Sequence, residues 1–246
     1  MPSENQRVWP LVSVVFVTYK RVHLLERTVR AFRESTDYPT LELVVADDGS
    51  PKSVQEAIRK LDFDRFVLSA KNRGLGANLN AGLKEATGDY VFVLEDDWLC
   101  TGPADYLRRC VSFLEEKPNA EMVRFYGDAV SFVDEIQMVE KGSAYSNTPH
   151  LRTRRSLSTV GMYREDVWME ECERDYIRRF AAISGDTYMF RDLFNQTFQH
   201  IGEAESHRTR SARVRLRNWV SLAVSPIKRN FPQFFNAARA VIGRNR

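Results

Sequence analysis

The chain has 246 residues, 43% hydrophobic and 28% charged, which suits one globular domain with a full core. No apolar run approaches the ~18 residues of a membrane span, and the opening Met1-Pro2-Ser3-Glu4 lacks the basic-then-apolar pattern of a secretory leader. Cys100, Cys110 and Cys172 are an odd set without metal-ligand spacing, so reduced thiols in a cytoplasmic protein are expected.

The net charge of +3 hides an asymmetry, because residues 206–246 hold ten Lys or Arg and no acid, against 26 basic and 33 acidic residues elsewhere. A basic tail on an acidic body points to an anionic partner or to a solvated helical tail.

In chain order, residues 11–17 form a short β-branched run of buried-strand type. Val22, Leu25, Val29 and Phe32 follow at helical spacing over 22–34. A second strand over 41–46 ends in Asp47-Asp48-Gly49-Ser50-Pro51, where Ser50 and Pro51 suit the N-cap and first position of a helix. A third strand at 66–68 leads into Asn72-Arg73-Gly74-Leu75-Gly76 and a helix through Ala86. Gly88-Asp89 turns the chain into a fourth strand over 90–94, which runs straight into Glu95-Asp96-Asp97. A helix over 103–116 and a strand over 122–125 continue the pattern.

Alternating strands and helices imply a mostly parallel sheet, whose ligands gather beyond the carboxyl ends of the strands. Thr18-Tyr19, Asp47-Asp48 and Glu95-Asp96-Asp97 therefore fall where a ligand binds. The second half is less regular. Residues 127–155 are polar and loop-rich, 156–161 predict a strand, 163–182 and 187–195 predict helices, and 197–201 a short strand. Helical spacing from Leu216 to Val241 completes a two-part chain, a globular α/β domain over 1–205 and a basic amphipathic helical tail over 206–246.

Three carboxylates after an apolar strand repel one another unless a cation or ribose hydroxyls compensate. Hard ions such as Mn²⁺ or Mg²⁺ take carboxylate oxygens and share phosphate ligands. An acidic turn capping the next helix is the simpler alternative. Asp48 at a strand end suits a nucleobase N–H, with a turn and helix cap as the simpler alternative, and Tyr19 offers an aromatic face or is a partly buried surface tyrosine.

Val12 to Tyr19, Asp47-Asp48-Gly49-Ser50, Asn72-Arg73-Gly74, Gly88-Asp89-Tyr90 and Glu95-Asp96-Asp97 occur in the order and spacing of family 2 glycosyltransferases. The chain resembles that family over about residues 10–202. The resemblance implies an α/β GT-A (Rossmann-like) fold with a mixed, mostly parallel sheet flanked by helices. It also implies inverting, non-processive transfer of one sugar from a nucleotide-diphosphate donor, with a divalent ion, Mn²⁺ or Mg²⁺, as cofactor.

Residue by residue, the resemblance puts Thr18 and Tyr19 in the base-contacting segment, Asp48 on the base and Arg73 beside the nucleotide. Asp97 matches the metal-binding carboxylate, with Glu95 or Asp96 facing ribose or a metal-bound water. Glu95 and Leu79 depart from the Asp and Arg that many relatives carry there. Asp186 matches the candidate general base, with a helix cap as its alternative, and His200 matches a metal-ligating histidine, with a structural role as its alternative. Thr159, Gly161 and Met162 resemble a segment bordering donor sugar and acceptor, and Arg152, Arg154 and Arg155 are candidates to neutralise diphosphate, with an exposed basic loop as their alternative.

The donor is expected to be of UDP or dTDP type, and the acceptor a glycan, a lipid-linked glycan or a small molecule. The tail is expected on an anionic membrane at its inner face or in a homo-oligomer; no nucleic acid partner is expected. A catalytically silent nucleotide-sugar binder and a sugar nucleotidyltransferase are the rival readings, the second weakened by the absence of glycine from Val17-Thr18-Tyr19-Lys20-Arg21.

Overall fold

A computed structural model describes residues 7–140, 145–183 and 185–202. The expected basic helical tail at 206–246 lies outside the described residues.

The first half follows the predicted alternation: β1 (Val12–Thr18), α1 (Val22–Ser35), β2 (Leu41–Asp47), α2 (Lys52–Ile58), β3 (Arg65–Leu68), α3 (Leu75–Glu85) and β4 (Tyr90–Glu95). Then come β5 (Trp98–Cys100), α4 (Tyr106–Glu116), β6 (Ala120–Arg124), β7 (Ile136–Met138), β8 (His150–Thr153), α5 (Arg154–Val160), α6 (Met169–Ala182), β9 (Asp186–Phe190) and β10 (Phe198–His200).

Eight strands make one mixed sheet in the order β3-β2-β1-β4-β8-β6-β9-β7. β1 pairs in parallel with β2 and β4, and β6 with β9, while β8 runs antiparallel to both β4 and β6. β1 reads as an unbroken apolar run because both faces of the sheet are covered. Val12, Val14 and Phe16 join α1 and α4 in one core, whereas Val15 and Val17 join α3, α5 and α6 in the other. This period of two along the strand yields a three-layer sandwich. α3 presses close on β1, and a Cβ on its Gly82 would stand 2.6 Å from Val15 Cγ1.

Three expectations give way in the second half. Residues 154–160 are helical, not extended, because Thr153 Oγ1 accepts the Ser156 amide at 3.1 Å and Gly161 at φ 80° ends the turn. Residues 186–190 form β9, not a helix, because they fill the slot between β6 and β7. α6 begins at Met169 rather than 163, after Asp166 at φ 57°. In the first half, Ser50 does not cap α2; its hydroxyl turns back to Asp47, and Pro51 holds the cap position.

Candidate active site

The order β2-β1-β4 means that the chain reverses direction across the sheet between β1 and β4, which opens a crevice at their carboxyl ends. Thr18 and Glu95-Asp96-Asp97 flank that crevice, and Asp48 follows β2 beside it. Thr18 Oγ1 donates to Asp96 Oδ2 at 2.6 Å, closing the crevice floor. The Thr18 hydroxyl is thus engaged inside the protein.

Asp47 and Asp48 divide their duties. Asp47 is fully buried and accepts from Ser50 N at 2.9 Å and Gln55 Nε2 at 2.8 Å, so it shapes the turn. Asp48 accepts the amides of Arg73 at 2.8 Å and Gly74 at 2.9 Å, tying the start of α3 to the end of β2. Burial raises the Asp48 carboxyl above its ordinary pKa, with those two amides pulling the other way. Gly49 at φ 74° is required here, since a Cβ would meet the Lys71 carbonyl carbon at 2.2 Å. Tyr19, half-buried, follows β1 with the Lys20 ammonium over its ring at 4.7 Å. The Arg73 guanidinium pairs with Glu165, whose other oxygen accepts Asn80 Nδ2 at 2.8 Å.

The acidic cluster is compensated from within the protein. Arg21 Nη2 pairs with Asp96, and Nη1 lies 2.9 Å from Asp97 Oδ2. Burial pushes the Asp96 carboxyl up to about 6, with Arg21 and Thr18 pulling it down. Burial, then Asp97 and Asp96, push Glu95 to about 7.

His200 reaches the cluster through a two-stranded ribbon, β5 with β10, in which His200 pairs with Trp98. Its Nε2 lies 3.4 Å from Asp97 Oδ2, and its ring packs on Trp98 at 4.7 Å. Asp97 Oδ1 is buried without a hydrogen-bond partner. Among the described residues no three His, Cys, Asp or Glu side chains form a metal cage. Asp97 and His200 therefore fit a divalent ion only as a pair of ligands, an open half-site that phosphate oxygens would complete.

Asp186 is not part of this rim. β9 is parallel to β6 with Asp186 opposite Ala120, and β8 places that level beside Tyr90, at the start of β4. Asp186 thus stands at the opposite end of the sheet, its amide donating to Asn119 O at 2.8 Å. The expected diphosphate arginines are displaced too. Arg152 is fully buried against Ser156 and the Tyr176 hydroxyl, Arg154 caps the Ala86 and Gly88 carbonyls, and Arg155 pairs with Glu121 at the far end. Thr159 also lines a shallow cavity of about 210 Å³ at that end, with Gly185 and Arg155.

Other charged groups lie toward the same end of the sheet. The first turn of α6 overlies that of α3, since a Cβ on Gly76 would meet Arg164 O at 2.3 Å and Cys172 Sγ at 2.9 Å. Glu173 borders the buried stripe Cys172, Tyr176, Phe180 and acts electrostatically on Arg124, the last residue of β6. Burial lowers the Arg124 pKa, and Asp128 and Glu173 work against that. The signal for Glu173 was its place beside a helical stripe; for Arg21, its place just past β1.

Comparison with known proteins is decisive for the family. The description "Glycosyl transferase family 2" matches residues 13–164, more than half of the chain. The chain belongs to that family. It is 29% identical over 126 residues to GalNAc(5)-diNAcBac-PP-undecaprenol beta-1,3-glucosyltransferase of Campylobacter jejuni, covering 49% of this chain and 38% of that protein. It is 32% identical over 168 residues to validoxylamine A glucosyltransferase of Streptomyces hygroscopicus subsp. jinggangensis, covering 54% of this chain and 39% of that protein. The chain thus spans about two fifths of the length of these relatives.

Among solved structures, a mannosyltransferase from Pyrobaculum calidifontis in complex with GDP-Man and Mn²⁺ superposes with a TM-score of 0.58 at 22% identity, covering 75% of this chain and 56% of that one. S. aureus TarS 1–349 in complex with UDP-GlcNAc gives a TM-score of 0.61 at 16% identity, covering 80% and 61%. These likenesses establish the GT-A fold. Among the described residues, no helix is long and apolar enough to cross a membrane.

Proposed function

We propose that this chain is the catalytic unit of an inverting, non-processive glycosyltransferase that moves one sugar from a nucleotide-diphosphate donor to an acceptor hydroxyl. The observation that carries the reading is the convergence of Asp48, Glu95-Asp96-Asp97 and His200, from β2, β4 and β10, around one crevice.

In this reading the base lies between Tyr19 and Asp48, with Arg73 beside the nucleotide, and Glu95 and Asp96 face the ribose side. Asp48 keeps lone pairs beyond the two amides it already accepts, so a nucleobase N–H has an acceptor. Asp97 and His200 would hold a divalent ion, Mn²⁺ or Mg²⁺, whose chemistry is to neutralise the diphosphate leaving group. Glu173 takes the role expected of Asp186. Its carboxylate accepts the proton of the acceptor hydroxyl as that oxygen bonds to the anomeric carbon. The anomeric carbon–phosphate oxygen bond breaks on the opposite face, and the nucleoside diphosphate leaves with the electron pair.

A UDP or dTDP sugar remains the first donor to test, although the two neighbouring structures hold a GDP sugar and a UDP sugar. The undecaprenol-linked relative favours a lipid-linked glycan among the possible acceptors. Contact of residues 207–246 with an anionic membrane from the cytoplasmic side would serve such an acceptor.

The deciding experiment is a thermal-shift panel of UDP, dTDP and GDP sugars with Mn²⁺, Mg²⁺ or EDTA, followed by nucleotide release with lipid-linked acceptors. Donor binding raises the melting temperature by mass action. Stabilisation without release under any acceptor would instead support a silent nucleotide-sugar binder. Absence of stabilisation by every donor would overturn the reading.

A further inference from the structure

Arg21 is anchored at both ends. Its carbonyl accepts the amides of Leu24 and Leu25, each at 3.0 Å, so its backbone starts α1. Its side chain folds back over the crevice, where Nε lies 3.3 Å from Asp96 Oδ2, Nη2 pairs with Asp96, and Nη1 stands 2.9 Å from Asp97 Oδ2. Only 16% of that side chain is exposed. The guanidinium therefore already occupies one side of Asp97, leaving His200 on Oδ2 and the unpartnered Oδ1.

We infer that Arg21 is a resident counter-cation that competes with the divalent ion for Asp97, so that the ion binds the donor-free protein weakly and is taken up together with the diphosphate. This rests on the reading that the ion sits at Asp97 and His200. A guanidinium keeps its charge in a protein, so it cannot relieve the repulsion of a second cation by losing a proton. Two like charges a few ångströms apart in a partly desolvated crevice oppose each other strongly. The anionic diphosphate supplies the missing negative charge, and both cations then coexist. Asp96 gives Arg21 a carboxylate to stay on when Asp97 turns to the ion, so uptake need not disturb α1.

The test measures Mn²⁺ affinity by paramagnetic resonance on the whole chain, without donor or acceptor, for the wild type and Arg21→Gln. Arg21→Gln is expected to bind Mn²⁺ at least about tenfold tighter than the wild type, a difference of about 1.4 kcal/mol. Addition of UDP or GDP is expected to tighten Mn²⁺ binding more in the wild type than in the variant. Equal or weaker Mn²⁺ binding by Arg21→Gln overturns the inference. If Arg21→Gln fails to fold because Asp96 is left buried and uncompensated, the double variant Arg21→Gln/Asp96→Asn, which removes the cation and its buried partner together, is compared with Asp96→Asn alone. Tighter Mn²⁺ binding by the double variant is expected, because only it has lost the competing cation, and equal or weaker binding overturns the inference. Asp97→Asn in parallel separates the two layers. If Mn²⁺ binds the wild type with nucleotide and Asp97→Asn leaves that binding intact, the ion site itself is misassigned, whatever Arg21 does.

Discussion

Asp97 and Asp186 stand at opposite ends of one sheet, Asp97 just past the end of β4 and Asp186 at the start of β9, level with the start of β4. Within the proposed mechanism, Asp186→Asn is expected to leave turnover within about twofold of wild type, as for substitutions remote from chemistry. Glu173→Gln is expected to lower kcat by about 10²–10⁴ with little change in donor KM. Steady-state kinetics on the two variants decide between them, and the reverse pattern would restore Asp186 as the base.

Asp97→Asn keeps the shape of the side chain and removes its charge. The expected result is loss of the Mn²⁺-dependent rise in melting temperature with donor, and a fall in kcat/KM of about 100-fold or more. An undiminished Mn²⁺ effect on melting would remove Asp97 from the ion site.

Gly202 closes over the same carboxylate, since a Cβ there would stand 2.0 Å from Asp97 Oδ2. Gly202→Ala must shift either Asp97 or the Ile201 amide, which donates to Asp97 O at 2.9 Å. A stability loss of about 1–3 kcal/mol is expected by denaturant melting, together with weakened Mn²⁺ binding in the presence of nucleotide. A variant as stable and as metal-responsive as the wild type would contradict this packing.

Glu42 offers a pH test far from the rim. Burial works to raise its pKa, but hydrogen bonds from Ser13, Thr87 and Arg65 win and hold it at about 2, against 4.5 for a free side chain. A depressed carboxylate stabilises the fold above pH 4.5, and that contribution fades as pH falls toward 2. Glu42→Gln should cost about 2 kcal/mol at pH 7, less than the full shift implies because Arg65 is partly solvated. Urea melts should show the gap narrowing from pH 5 to pH 2. A gap independent of pH would assign the effect to shape rather than charge.

The crevice of β1, β2 and β4 was legible in the sequence because Thr18, Asp48 and Asp97 each follow an apolar strand within a few positions. Once Thr18, Asp48 and Asp97 end parallel strands, geometry brings them together without further information. The second half of the fold depends on pairings that local patterns do not carry. Residues 186–190 have the composition of either a strand or a helix start, and only their slot between β6 and β7 selects the strand. Likewise the β-branched stretch before Gly161 suggested a strand, but Thr153 and Gly161 bracket it as a helix. The insertion of antiparallel β8 between β4 and β6 is what sends Arg154 and Arg155 to the far end. Arg21 escaped notice because its place just past β1 gains meaning only when Asp96 and Asp97 are seen beside it.

The β5–β10 ribbon joins Asp97 to a histidine from the last described strand. During translation, the crevice of β1, β2 and β4 can assemble while β10 is still inside the ribosome. A nascent chain halted before Phe198 would have the acidic cluster and Arg21 but no His200, and so could pair its charges internally without recruiting an ion. In the proposed reading, the ion half-site is thus complete only once the β5–β10 ribbon has zipped up.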